Sequence, residues 1–97
     1  MKEILIYTKA AAEMEMLMLF LEGEGCFADQ VKEEREVIRR LSDNVFHALL
    51  IDGRAKEGEC FKLIREIRKS STIPILVISS RNTEQIIVEA LNAGADD

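Results

Sequence analysis

Asp52 closes the apolar run His47-Ala-Leu-Leu-Ile-Asp52, and a carboxylate directly after a buried strand can act as nucleophile, metal ligand or counterion. Two further apolar runs end in polar side chains, Ile4-Leu-Ile-Tyr-Thr8-Lys9 and Pro74-Ile-Leu-Val-Ile-Ser79-Ser80. If the three are parallel neighbours, Thr8, Lys9, Asp52 and Ser79 reach one edge of the sheet. In open α/β sheets that edge, at the carboxyl ends of the strands, is where ligands collect.

The charges around Asp52 decide what it can do. A Lys9 ammonium within about 4–6 Å would favour the ionised carboxylate; the alternative is a solvated loop lysine, since that side chain reorients easily. Arg54 is either a second partner, with a fork that grips carboxylate or phosphate, or a solvent-facing loop arginine. Ser79 either bonds to Asp52 or a bound anion, or simply ends its strand in a turn. His47 lies at the remote end of its strand and reads as a strand-edge residue. No Ser/His/Asp or Cys/His grouping supports hydrolase chemistry.

The elements that must position these groups alternate along the chain. Ile4–Thr8 reads as a short buried strand. A helix over Ala10–Glu22 follows, rich in Ala, Met, Leu and Glu, with Gly23 and Gly25 to stop it. Cys26–Val31 forms a second strand. Glu33–Leu41 is a helix with Val37, Ile38 and Leu41 on one face and Glu36 paired to Arg40. Ser42-Asp43-Asn44 makes a turn, and Phe46–Asp52 is the third strand. The loop Gly53–Gly58 leads into a helix through Lys69 with Phe61, Leu63, Ile64 and Ile67 inward. Pro74 opens the fourth strand, where a missing N–H is tolerated. Glu84–Ala93 is a last helix, started by Asn82 or Thr83 and closed by Gly94 as its C′ residue. The pattern βαβαβαβα requires a parallel sheet with helices on both faces.

At 97 residues the chain is one domain with one core. Hydrophobic residues make up 47% and charged residues 32%, a globular balance. The net charge of −5, from 13 basic and 18 acidic residues, argues against direct nucleic-acid binding by this segment. No run is apolar and long enough for a bilayer and no secretory signal opens the chain, so no membrane partner is expected. Cys26 and Cys60 have neither metal-site spacing nor disulfide density and read as packed thiols of a cytoplasmic protein; Cys60, near a helix start, is also placed for a lowered pKa.

Several linked segments resemble the receiver domain of two-component response regulators, over essentially the whole chain. They are Ile4-Leu-Ile-Tyr, Phe20-Leu-Glu-Gly-Glu-Gly25, Leu49-Leu-Ile-Asp52 with Phe61 nine positions on, Ile73-Pro-Ile-Leu-Val-Ile-Ser79-Ser80, and Ala90-Leu-Asn-Ala-Gly-Ala-Asp-Asp97. The resemblance implies a flavodoxin-like doubly wound parallel sheet in strand order 2-1-3-4. It gives Asp52 the phosphoacceptor position, receiving a phosphoryl group from a histidine kinase by nucleophilic catalysis. Ser79 takes the position of the switch hydroxyl that contacts the phosphoryl oxygens. Asp52 and the backbone carbonyl of Arg54 take those of Mg²⁺ ligands.

Two departures qualify it. The acidic pair that the family carries after its first strand, to hold Mg²⁺, is replaced here by Thr8 and Lys9. Mg²⁺ is usually held by one or two carboxylates together with phosphate oxygens, and phosphoryl transfer needs the ion to neutralise developing charge. The chain also stops at Asp97, before the family's fifth strand and helix, so residues 1–97 read as a receiver domain incomplete at its C-terminus, with an exposed edge open to association.

The function expected is therefore signalling rather than enzymatic. It is that of a degenerate receiver, weakly or not at all phosphorylated with Mg²⁺ at Asp52, that regulates a partner or a fused DNA-binding output module. The alternatives are a conventional receiver phosphorylated by a histidine kinase, and a small flavodoxin-like enzyme or flavin carrier. The last lacks a phosphate loop in Thr8-Lys-Ala-Ala-Ala12, and no resident cofactor is expected. The first helix is expected to face Ala12, Met16, Leu17, Phe20 and Leu21 inward. That leaves Met14, Met18 and Leu19 for a partner or a second copy of the chain in a homodimer.

Overall fold

The computed structural model describes residues 2–53, 57–78, 88 and 91–96. The elements are β1 (Lys2–Tyr7), α1 (Ala11–Gly23), β2 (Cys26–Val31), α2 (Glu34–Asp43), β3 (Ala48–Asp52), α3 (Glu57–Arg68) and β4 (Ile75–Ile78). All strand pairs are parallel and the sheet order is β2-β1-β3-β4. β1 aligns Tyr7 with Val31 on one side and with Ile51 on the other. The chain thus runs from β1 outward to β2, then crosses to β3. The order reverses between β1 and β3, where the crevice of a doubly wound sheet opens.

Alternation along the strands divides the apolar residues between two faces. Leu5, Tyr7, Val31, Leu49, Ile51 and Ile75 pack with Val37 of α2 and with Phe61, Leu63, Ile64 and Ile67 of α3. The inward face expected for α3 is the one observed. Each fully buried aliphatic side chain of this kind stabilises the fold by about 1.5–3 kcal/mol. Ile6, Ala28 and Met14 are also buried, outside that cluster, and α1 lies against β2.

Turn chemistry sets the borders. Gly25, at φ 82°, supplies the left-handed step between α1 and β2, and the Glu24 N–H donates to the carbonyls of Phe20 and Leu21. Pro74 donates nothing, but its carbonyl accepts the Leu49 N–H at 2.9 Å and begins the β3–β4 ladder. Residues 91–93 are helical and Gly94 has φ 118°, as its place after that helix requires. Asn82, Thr83 and Glu84, expected at the start of that helix, lie outside the described residues.

Three expectations need correction. α1 is rotated from the phase expected: Met14 is 3% exposed, whereas Met16, Leu19 and Phe20 are 77%, 58% and 64% exposed. Met18 is half-buried and its sulfur accepts a hydrogen bond from Gln30. The helix is apolar nearly all round, so composition cannot select its inner face. In α2, Ile38 is exposed while Val37 is buried and Leu41 is half-buried. Arg40 pairs with Asp29 of β2 rather than with Glu36, and its guanidinium lies 5.8 Å from the Phe46 ring centroid. A tertiary partner wins over the helix neighbour.

Candidate functional site

Thr8 follows β1 directly and Asp52 ends β3. Because Tyr7 is aligned with Ile51, the next residues, Thr8 and Asp52, are brought level at the mouth of the sheet. Thr8 Oγ1 donates to Asp52 Oδ2 at 2.8 Å. The same oxygen accepts the Ala10 N–H at 3.0 Å, and the Thr8 N–H donates to the Val31 carbonyl at 3.1 Å. Thr8 is 1% exposed. An ionised carboxylate only accepts and an amide N–H only donates, so the hydroxyl proton must point at Asp52.

Lys9 goes elsewhere. Its side chain is exposed and lines a hollow of about 390 Å³ with Tyr7, Glu33, Glu34, Arg35, Glu59 and Lys62. Strand parity explains this: residues 7 and 9 share a face, whereas Thr8 and Asp52 share the other. Among the described residues no Lys9–Asp52 ion pair forms, and Thr8 makes a contact of the kind expected of Lys9. In the hollow, burial, with the carboxylates of Glu34, Glu59 and Glu33 and the Cys60 thiol nearby, pushes the Tyr7 phenol up from 10.0 to about 12.

Gly53 continues the chain behind the carboxylate. Its N–H donates to the Ile78 carbonyl at 2.8 Å. A Cβ there would lie 3.2 Å from that carbonyl oxygen and 3.5 Å from Cys60 Sγ. The Cys60 thiol faces the Asp52 carbonyl at 3.8 Å, and Cys60 is buried while Cys26 is half-buried. His47 is at the opposite end of β3, where Nδ1 accepts the Glu3 N–H at 2.9 Å. Arg54 and Ser79 lie outside the described residues.

Among the described residues the fit to a divalent cation is poor. Thr8 offers a neutral oxygen that already accepts the Ala10 N–H, and Lys9, turned to the Tyr7 hollow, adds no oxygen ligand. Among the described residues no group of three or more His, Cys, Asp or Glu side chains is placed to hold a metal ion. Mg²⁺ normally takes one or two carboxylates in near-octahedral geometry; Thr8 and Lys9 contribute none.

Residues 4–97 match the pattern of the response regulator receiver domain. The chain belongs to that family. Receiver domains serve two-component signalling, and this membership sets aside the flavin-carrier alternative. The chain is 28% identical over 97 residues to the KDP operon transcriptional regulatory protein KdpE of Escherichia coli, covering 100% of this chain and 43% of that one. Over 42 residues, 43% of this chain and 17% of the relative, it is 55% identical to the transcriptional regulatory protein KdpE of Staphylococcus aureus. The chain thus spans less than half the length of these relatives. Among solved structures, a two-component response regulator from Clostridium difficile superposes with a TM-score of 0.89 at 29% identity, covering 100% of this chain and 80% of that one. The signal receiver domain of a histidine kinase from Syntrophus aciditrophicus gives 0.83 at 28%, covering 100% and 76%. Among the described residues no helix is long and apolar enough to cross a membrane.

The sequence places Thr8 at the same sheet edge as Asp52 and in the position of a missing acid, without assigning it the contact. The signal for its bonding role was present, because equal offsets from the ends of two parallel strands bring residues 8 and 52 level. The Tyr7 hollow carried no comparable signal, since its charges come from three separate segments.

Proposed function

We propose that this receiver domain signals mainly through protein contacts, with Asp52 a weak acceptor or none in Mg²⁺-dependent phosphorylation. The observation that carries the reading is the hydrogen bond from Thr8 to Asp52, made where the family places a metal-binding acid. A hydroxyl orients a carboxylate but adds no charge to offset that developing on a transferred phosphoryl group. The domain acts as a regulator rather than an enzyme, controlling a partner or a fused output module, in this reading a DNA-binding one; the names of the KdpE relatives support a transcriptional output.

The partner docks on the outer stripe of α1, Met16, Leu19 and Phe20. Glu13, Glu15 and Glu22 on the same helix favour an apolar helix flanked by Lys or Arg over a second acidic copy of this chain.

Intact mass after incubation with a small-molecule phosphodonor and Mg²⁺ tests the acceptor chemistry, with Asp52→Ala as control. The expected result is little or no Asp52-dependent gain of a phosphoryl group. Stoichiometric gain at ordinary rates would restore the conventional receiver reading. Replacing Thr8 and Lys9 together by Asp should create Mg²⁺ binding measurable by calorimetry.

A further inference from the structure

We infer that Thr8 is a positioning residue for Asp52, its hydroxyl anchoring Oδ2 and tying that carboxylate to the start of α1. Three observations carry this. The hydroxyl is buried, so water does not compete for its proton. It bonds on both sides, donating to Asp52 Oδ2 at 2.8 Å and accepting from Ala10 at 3.0 Å. The Thr8 backbone is itself fixed by the Val31 carbonyl, so the hydroxyl sits on a frame shared by β1 and β2.

Ala10 is the residue from which α1 begins, and its carbonyl accepts the Glu13 N–H at 3.0 Å. A change at Asp52 therefore reaches the first turn of α1 through one side chain. Charge-assisted hydrogen bonds of this kind are about twice as strong as neutral ones, which suits the hydroxyl to hold a single carboxylate rotamer. The inference rests on the reading of Asp52 as the working carboxylate of this domain. It does not depend on whether Asp52 accepts a phosphoryl group, so the two claims fail separately.

Nuclear magnetic resonance of the whole chain tests it with Thr8→Val and Thr8→Ser. Valine keeps the shape of threonine and loses the hydroxyl; serine keeps the hydroxyl. In the unaltered chain and in Thr8→Ser, the Asp52 side-chain couplings should report one χ1 rotamer and the Ala10 amide should be protected from exchange. In Thr8→Val the couplings should average and Ala10 should exchange about tenfold faster, with core amides such as Ile64 unchanged. A single Asp52 rotamer and unchanged Ala10 exchange in Thr8→Val would overturn the inference, as would a failure of serine to rescue. If Thr8→Val does not fold, Thr8→Ala takes its place under the same criteria, and averaged Asp52 couplings in the unaltered chain would overturn the inference.

Discussion

Arg68 Nη2 lies 3.1 Å from Asp96 Oδ2, and that same oxygen accepts the Ile75 N–H at 2.8 Å. The guanidinium also donates to the carbonyls of Gly94 at 2.8 Å, Ile73 at 2.6 Å and Ser71 at 3.3 Å. One side chain at the end of α3 thus gathers the entry to β4 and the segment after Gly94.

Its value should lie in the carbonyl bonds rather than in the ion pair, because the Asp96 side chain is 60% exposed and exposed pairs contribute about 0–1 kcal/mol. Arg68→Ala is expected to cost about 1–3 kcal/mol in urea unfolding. Arg68→Lys should recover little of it, since an ammonium lacks the planar fork. Asp96→Asn, which keeps an acceptor for Ile75, should cost less than about 1 kcal/mol. Equal losses in Arg68→Ala and Asp96→Asn would assign the effect to charge instead.

The phase of α1 predicts a contrast between two apolar residues of similar size. Met14→Ala removes a buried side chain and should destabilise by about 2–5 kcal/mol. Leu19→Ala, on the exposed stripe, should change stability by less than about 0.5 kcal/mol. Thermal and urea unfolding of the two variants distinguish this orientation from one with Leu19 inward, which would reverse the order.

Tyr7 gives an alkaline signature. It is the single tyrosine in a chain without tryptophan, so phenolate absorbance reports on it alone. The folded protein holds the phenol proton to about 12 against 10.0 for an unburied group. Between those values the folded state binds more protons than the unfolded state, so the stability linked to Tyr7 is complete below 10.0 and declines as pH rises toward 12. Tyr7→Phe should lose that component of the decline. A native phenol titrating near 10.0 would contradict the burial and the surrounding carboxylates.

The parallel pairing followed from alternation of short apolar runs with helical segments, the strand order only from the family resemblance, and Phe61, Leu63, Ile64 and Ile67 were legible because α3 has one apolar stripe. α1 was not, since Met14, Met16, Met18 and Leu19 are interchangeable by hydrophobicity and only the sheet selects among them. At the site, sequence assigned Asp52 to the end of its strand. It favoured Lys9 as partner because sheet topology brings the ends of the first and third strands together, whereas side-chain parity sends Lys9 to the Tyr7 side and sets Thr8 against the carboxylate. Nearness of strand ends is a weaker guide than a register that sets which atoms meet.

Gly53 bonds to the Ile78 carbonyl one residue past the carboxylate, where even a methyl group would press on that carbonyl. In mechanical terms the exits of β3 and β4 are riveted together just beyond the mouth of the sheet. A displacement of the end of β4 is carried first through this bond to the residue next to Asp52. A load on the end of β4 and a change at the Asp52 backbone therefore meet at a single glycine.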